Sequence, residues 1–90
     1  MERQDLVEVL VVDSHHIVAQ GLALVIDSDP ATRVVGTAGT IHDAVALSQD
    51  TKPDVVLMDI GLPDGDPLAA IARIRTAVPQ AKIVMVTGST

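Results

Sequence analysis

The sequence predicts an α/β fold built on a parallel sheet, and three observations carry that prediction. Short β-branched apolar runs alternate with longer segments whose apolar residues recur at near-helical spacing. The resulting order, β-α-β-α-β-α-β, implies a parallel sheet with helices on both faces. Finally, Asp13, Asp59 and Thr87 stand where the first, third and fourth strands end. Right-handed crossovers and an order reversal between strands one and three give a flavodoxin-like arrangement, in which ligands bind beyond the carboxyl ends of the strands, beside the switch point.

Each element has its own signal. After a polar lead-in, Val7 to Val12 (VEVLVV) reads as a buried strand ending at Asp13. Ser14 is a good N-cap, and Ile17, Val18, Leu22, Val25 and Ile26 follow at near-helical spacing. The turn residues Asp27 to Pro30 stop that helix, and Thr32 to Ala38 form a shorter strand. Thr40 with Asp43 resembles a capping box opening a helix through Ala44, Val45, Leu47 and Ser48, which Lys52 and Pro53 end. The third strand is Val55 to Met58, four apolar residues running into Asp59. Asp66 as N-cap and Pro67 at the first helical position start a third helix carrying Leu68, Ile71, Ala72, Ile74, Ala77 and Val78, stopped by Pro79. Ile83 to Val86 makes the fourth strand, with Met58 and Met85 as core fillers.

Composition narrows the function. Ninety residues are one small domain at most, and 48% of them are apolar, yet there is no Phe, Tyr or Trp, so Val, Ile, Leu and Ala must fill the core. A domain this short buries a modest fraction of its surface and should be marginally stable. The absence of cysteine excludes disulfides and thiolate metal sites. No signal peptide or membrane span is indicated, so a cytoplasmic location is expected. The net charge of −6 argues against this segment gripping nucleic acid, and its six cations are scattered, Arg73 and Arg75 reading as a solvated helix face. Because the chain stops at the end of a strand, it reads as a fragment, or as a piece completed by a partner copy. An open apolar edge of that kind invites a homodimer or swapped oligomer.

The polar strand ends carry the chemistry. Two carboxylates, a loop carbonyl and a hydroxyl make an all-oxygen site suited to a hard divalent cation such as Mg²⁺. An aspartate can also accept a phosphoryl group as a nucleophile, with the metal neutralising charge on the transferring group. Taken singly, Asp13 and Asp59 read as turn formers; together at the ends of one parallel sheet they read as a site. Asp64 and Asp66 read as turn and cap residues. His15, His16 and His42 could join the acids in a transition-metal site, but nothing places the three on one face, so other roles are expected. A small phosphate-ester hydrolase using Asp59 lacks a second acid spaced as a general acid, and the chain is not read as an enzyme.

These residues resemble the receiver domain of two-component response regulators. The match comprises Asp13 after strand one, the Asp-x-x-x-Pro element from Asp59 to Pro63 (within VVLMDIGLP), and Thr87 followed by Gly88. The run from Asp13 to Leu22, DSHHIVAQGL, further resembles the NarL/FixJ (LuxR-type) branch. The resemblance implies that residues 1–90 are the N-terminal, (βα)3β portion of a (βα)5 fold. It implies that Asp59 is the phosphoacceptor for a sensor histidine kinase, that Asp13, Asp59 and the Gly61 carbonyl hold Mg²⁺, and that Thr87 is the switch hydroxyl. A downstream helix-turn-helix domain would bind DNA. Missing from the pattern are the last helix, strand and helix, and with them the lysine that contacts the phosphoryl group, the aromatic switch position and a common dimerisation surface.

Two further departures matter. Ser14 stands where the family usually has a second metal-binding acid, which implies weak Mg²⁺ binding and motivates an alternative: a phosphorylation-independent interaction or dimerisation module. Pro67 replaces a common Gly and suits a helix start.

Overall fold

The structure, a computed structural model, describes residues 6–86. Seven elements follow in the expected order: β1 (Val7–Val12), α1 (His16–Asp27), β2 (Thr32–Ala38), α2 (Ile41–Thr51), β3 (Val55–Asp59), α3 (Pro67–Ala77) and β4 (Lys82–Val86). The four strands form one parallel sheet in the order β2-β1-β3-β4. The chain therefore steps from β1 to one side for β2 and to the other for β3, which sets the switch point between β1 and β3.

The alternation of side chains along each strand splits the core into two layers. Leu10, Val12, Val56 and Met58 point to one face and are covered by Ile41, Ala44 and Val45 of α2 and by Ala70 and Ile74 of α3. Val9 and Val11 point to the other, where Ala19, Leu22 and Ile26 of α1 pack on them together with Val34, Val55 and Leu57. A bulge between Val9 and Leu10 leaves Val35 without a ladder partner in β2 and restores pairing at Gly36.

Local chemistry sets the helix ends. The Thr40 side chain accepts from the Asp43 N–H at 3.1 Å, and the Asp66 carboxylate accepts from Leu68 N–H at 3.0 Å ahead of Pro67 at N1. At the C-terminus of α2, Lys52 takes a left-handed conformation (φ 46°) and its N–H donates to the Ser48 carbonyl. The loop from β3 to α3 is tied to the start of α2: Asp64 Oδ1 accepts from Ile41 N–H at 2.7 Å and Oδ2 from His42 N–H at 3.1 Å. Next to it, Gly65 adopts φ +153°, and a Cβ there would stand 3.2 Å from Ile41 Cδ1, so both backbone and space call for glycine.

Four expectations need correction. Helix α1 begins one residue later than a Ser14 cap would give: His15 is the N-cap, because the Asp13 carboxylate reaches forward to accept its N–H and holds Ser14 in the turn. Within α1, Ile17, Val18 and Val25 are exposed, since Ala19, Leu22 and Ile26 already fill the stripe facing the sheet. On α3, Leu68 and Ala72 likewise face outward, the core contacts falling to Ala70, Ile71 and Ile74. Met85 is not a core filler. It lies on β4, an edge strand paired on one side among the described residues, and is 36% exposed. Thr87 and Gly88 lie outside the described residues.

Candidate functional site

The register of β1 against β3 builds the site. Val9 pairs with Val55 and Val12 with Met58, a constant offset that also sets Glu8 N–H against Asp54 at a separation of 46 residues. Carried one step past Val12 and Met58, the same offset aligns Asp13 with Asp59. Two acids far apart in sequence thus arrive side by side at the carboxyl edge, at the switch point, where parallel sheets bind ligands. Both are largely buried, Asp13 9% and Asp59 8% exposed.

Backbone groups fix each carboxylate. The Asp13 N–H donates to the Ala38 carbonyl across the β1–β2 pair, and Asp13 Oδ1 accepts from His15 N–H at 2.8 Å. Asp59 Oδ1 accepts from Gly61 N–H at 3.3 Å. The turn through Gly61 passes so close that a Cβ there would meet both Asp59 oxygens, at 3.7 and 3.9 Å. The structure thus brings together three of the four expected site residues, Asp13, Asp59 and Gly61, while Thr87 lies outside the described residues. Ser14 is exposed beside them.

A third side chain joins the acids. His15 Nδ1 lies 3.0 Å from Asp13 Oδ1 and 4.0 Å from Asp59 Oδ2, and one ligand atom from each of the three residues lies within 4.8 Å of the others. His16 and His42 are not part of this group. The signal for His15 was the Asp-x-His spacing at a strand end, where a carboxylate that accepts the N–H two residues on also brings that residue's side chain back toward it. Asp64 does cap a helix, but one that begins 23 residues before it. The N–H of Ile41, aided by that of His42, holds its carboxyl below the usual value of 3.8.

The electrostatics of this cluster suit a cation. At an effective dielectric of about 20, two unit charges separated by the 4.8 Å that bounds these groups repel by about 3 kcal/mol. Among the described residues no Lys or Arg pairs with either carboxylate, and His15 is the one cation-forming side chain in reach. A divalent ion held by Asp13 and Asp59 would offset that repulsion. Carboxylates together with water are also the ligands such hard ions prefer.

A doubly wound parallel sheet with two buried carboxylates aligned at its switch point defines a flavodoxin-like domain with an acidic pocket. Within that class the chain belongs to the response regulator receiver domain family, which matches residues 9–90. It is 38% identical over 84 residues to the uncharacterized transcriptional regulatory protein YxjL of Bacillus subtilis, covering 93% of this chain and 38% of that protein. It is 33% identical over 85 residues to the DNA-binding transcriptional activator DevR/DosR of Mycobacterium tuberculosis, covering 94% and 39%. The chain thus spans about two fifths of the length of these curated relatives. Among solved structures it superposes on a LuxR-family two-component response regulator from an Aurantimonas species with a TM-score of 0.85 and 32% identity, covering 94% of this chain and 61% of that one. The response regulator domain of Thermotoga maritima CheB gives 0.84 and 34%, covering 91% and 60%.

The chain is accordingly a receiver domain of the kind found in response regulators, and its relatives are transcriptional regulators. Receiver domains in general bind Mg²⁺ at an acidic site, pair with histidine kinases and, in transcriptional regulators, are not enzymes. No helix among the described residues is long and apolar enough to cross a membrane.

Proposed function

We propose that Asp59 accepts a phosphoryl group from the phosphohistidine of a sensor histidine kinase and that this modification controls a DNA-binding output domain in the full-length, cytoplasmic protein. Residues 1–90 would then be the N-terminal part of the receiver domain, acting as a switch and not itself an enzyme. The observation that carries this reading is the alignment of Asp13 with Asp59, both buried, at the carboxyl edge between β1 and β3.

The chemistry assigns each residue a task. An Asp59 carboxylate oxygen attacks phosphorus as the bond to the kinase imidazole nitrogen breaks, giving an aspartyl phosphate and a neutral histidine. Gly61 N–H on Oδ1 fixes the orientation of the carboxylate. Asp13, Asp59 and the Gly61 carbonyl would hold Mg²⁺, which when bound neutralises charge on the transferring group. The Thr87 hydroxyl would donate to a phosphoryl oxygen and report its presence to the output surface. Retention of both buried acids speaks against the phosphorylation-independent module that Ser14 alone would suggest.

Beryllofluoride with Mg²⁺, a stable mimic of the aspartyl phosphate, tests this directly. The amide resonances of Asp59, Gly61 and Thr87 should shift in the wild type and stay put in Asp59→Asn. An identical response in the two proteins would sink the assignment.

A further inference from the structure

We propose that His15 is a metal ligand of this pocket, and that an imidazole nitrogen in place of an acid at position 14 tunes the site away from Mg²⁺ toward a divalent first-row transition ion. The preference presupposes, as proposed above, that the pocket takes a divalent cation at all.

Three observations support it. First, the geometry is close to that of a coordination sphere. Neighbouring ligands of an octahedral ion with bonds of about 2.1 Å lie about 3.0 Å apart, and opposite ones about 4.2 Å. His15 Nδ1 stands 3.0 Å from Asp13 Oδ1 and 4.0 Å from Asp59 Oδ2, and one ligand atom from each residue lies within 4.8 Å of the others, so modest side-chain rotations bring all three onto one ion. Second, the backbone holds the ring there, because Asp13 Oδ1 accepts the His15 N–H and makes His15 the first residue of the turn into α1. Third, Ser14 is exposed and offers only a neutral hydroxyl, so the donor set on β1 and its turn is one carboxylate and one imidazole.

The consequence for ion choice follows from ligand chemistry. Mg²⁺ holds its water tightly and takes oxygen donors, whereas imidazole favours Mn²⁺ to Zn²⁺ in rising order up to copper. A ligating Nδ1 requires the neutral ring to carry its proton on Nε2. The ring is 72% exposed, so that tautomer is stabilised by water.

Mn²⁺ is the probe of choice because it is paramagnetic. In the wild-type chain, pulsed electron paramagnetic resonance of bound Mn²⁺ should show coupling to an imidazole ¹⁴N. The ratio of Mn²⁺ to Mg²⁺ affinity, from calorimetric competition, should fall at least about tenfold in His15→Gln and His15→Ala, since losing a ligand costs no less than losing one of its supporting partners. His15→Gln keeps a donor for Asp13 while removing the imidazole, and the amide spectrum of each variant verifies its fold. Absence of nitrogen coupling, or equal weakening of both ions in the variants, would show that His15 merely props Asp13 and would overturn the inference while leaving the pocket's cation binding intact. Failure to bind either ion, together with no response to beryllofluoride, would instead overturn both readings.

Discussion

Replacing Asp59 by Asn should make the metal-free protein more stable, although it removes a proposed phosphoacceptor. Without a divalent ion, Asp13 and Asp59 face each other with oxygens no more than 4.8 Å apart, a repulsion of about 3 kcal/mol at an effective dielectric of 20. An Asn amide has the same shape, and its oxygen keeps the hydrogen bond from Gly61 N–H. Part of the repulsion is already relieved by the His15 contact to Asp13 and the Gly61 N–H on Asp59, so about 1–2 kcal/mol should be recovered. In a domain of this size that corresponds to a melting temperature higher by roughly 5–15 °C. Saturating Mg²⁺ should narrow the gap, because only the wild type keeps both carboxylates, and binding at a hundredfold excess over Kd contributes about 2.7 kcal/mol. Added salt should narrow it too. The chain has no Phe, Tyr or Trp, so urea unfolding is best followed by far-ultraviolet circular dichroism, with chelator in one series and MgCl₂ in the other. If Asp59→Asn is no more stable than the wild type in chelator, or gains as much from Mg²⁺, the two acids do not form a shared cation site.

Two further outcomes test how the site is supported. Ser48 Oγ is buried in α2 with no hydrogen-bond partner among the described residues, so Ser48→Ala should stabilise by about 1–2 kcal/mol in urea titrations; a loss of stability would show that the hydroxyl is in fact satisfied. Asp64→Ala should destabilise at neutral pH by freeing the β3–α3 loop from α2. Because the folded carboxyl titrates below its ordinary 3.8, its contribution is complete above that value and lost as pH falls through the lower folded one. The difference between the two proteins should therefore be constant near pH 6 and shrink only in acid; a difference independent of pH would mean that the charge on Asp64 is irrelevant.

Much of this fold was legible because its signals are local. Asp66 and Pro67 announce α3 by chemistry confined to three residues, and Thr40 announces α2 in the same way. Asp59 was legible as a site because a buried apolar run ended on it, and Asp13 because it ended another. The misplaced details are those that depend on tertiary context. Helix α1 (HIVAQGLALVID) is apolar on more than one side, so periodicity alone could not say that Leu22 and Ile26 would face the sheet while Ile17 and Val25 would not. Met85 has the composition of a core residue but sits on β4, which is paired on one side among the described residues. The Asp64 cap joins groups 23 residues apart, and no window of sequence shows it.

The pairing of β1 with β3 has a consequence for how this pocket can be lost. The segment between them can lengthen or shorten at its turns without moving Asp13 relative to Asp59, because the ladder alone aligns them. A single residue inserted or deleted within β3 is another matter. It would turn Asp59 toward the opposite face of the sheet and bring a neighbour of the wrong character to the switch point. Such a lesion would leave the acids, the charge and nearly all the sequence untouched while abolishing the pocket. The two carboxylates are held in partnership by counting, one residue at a time along two strands.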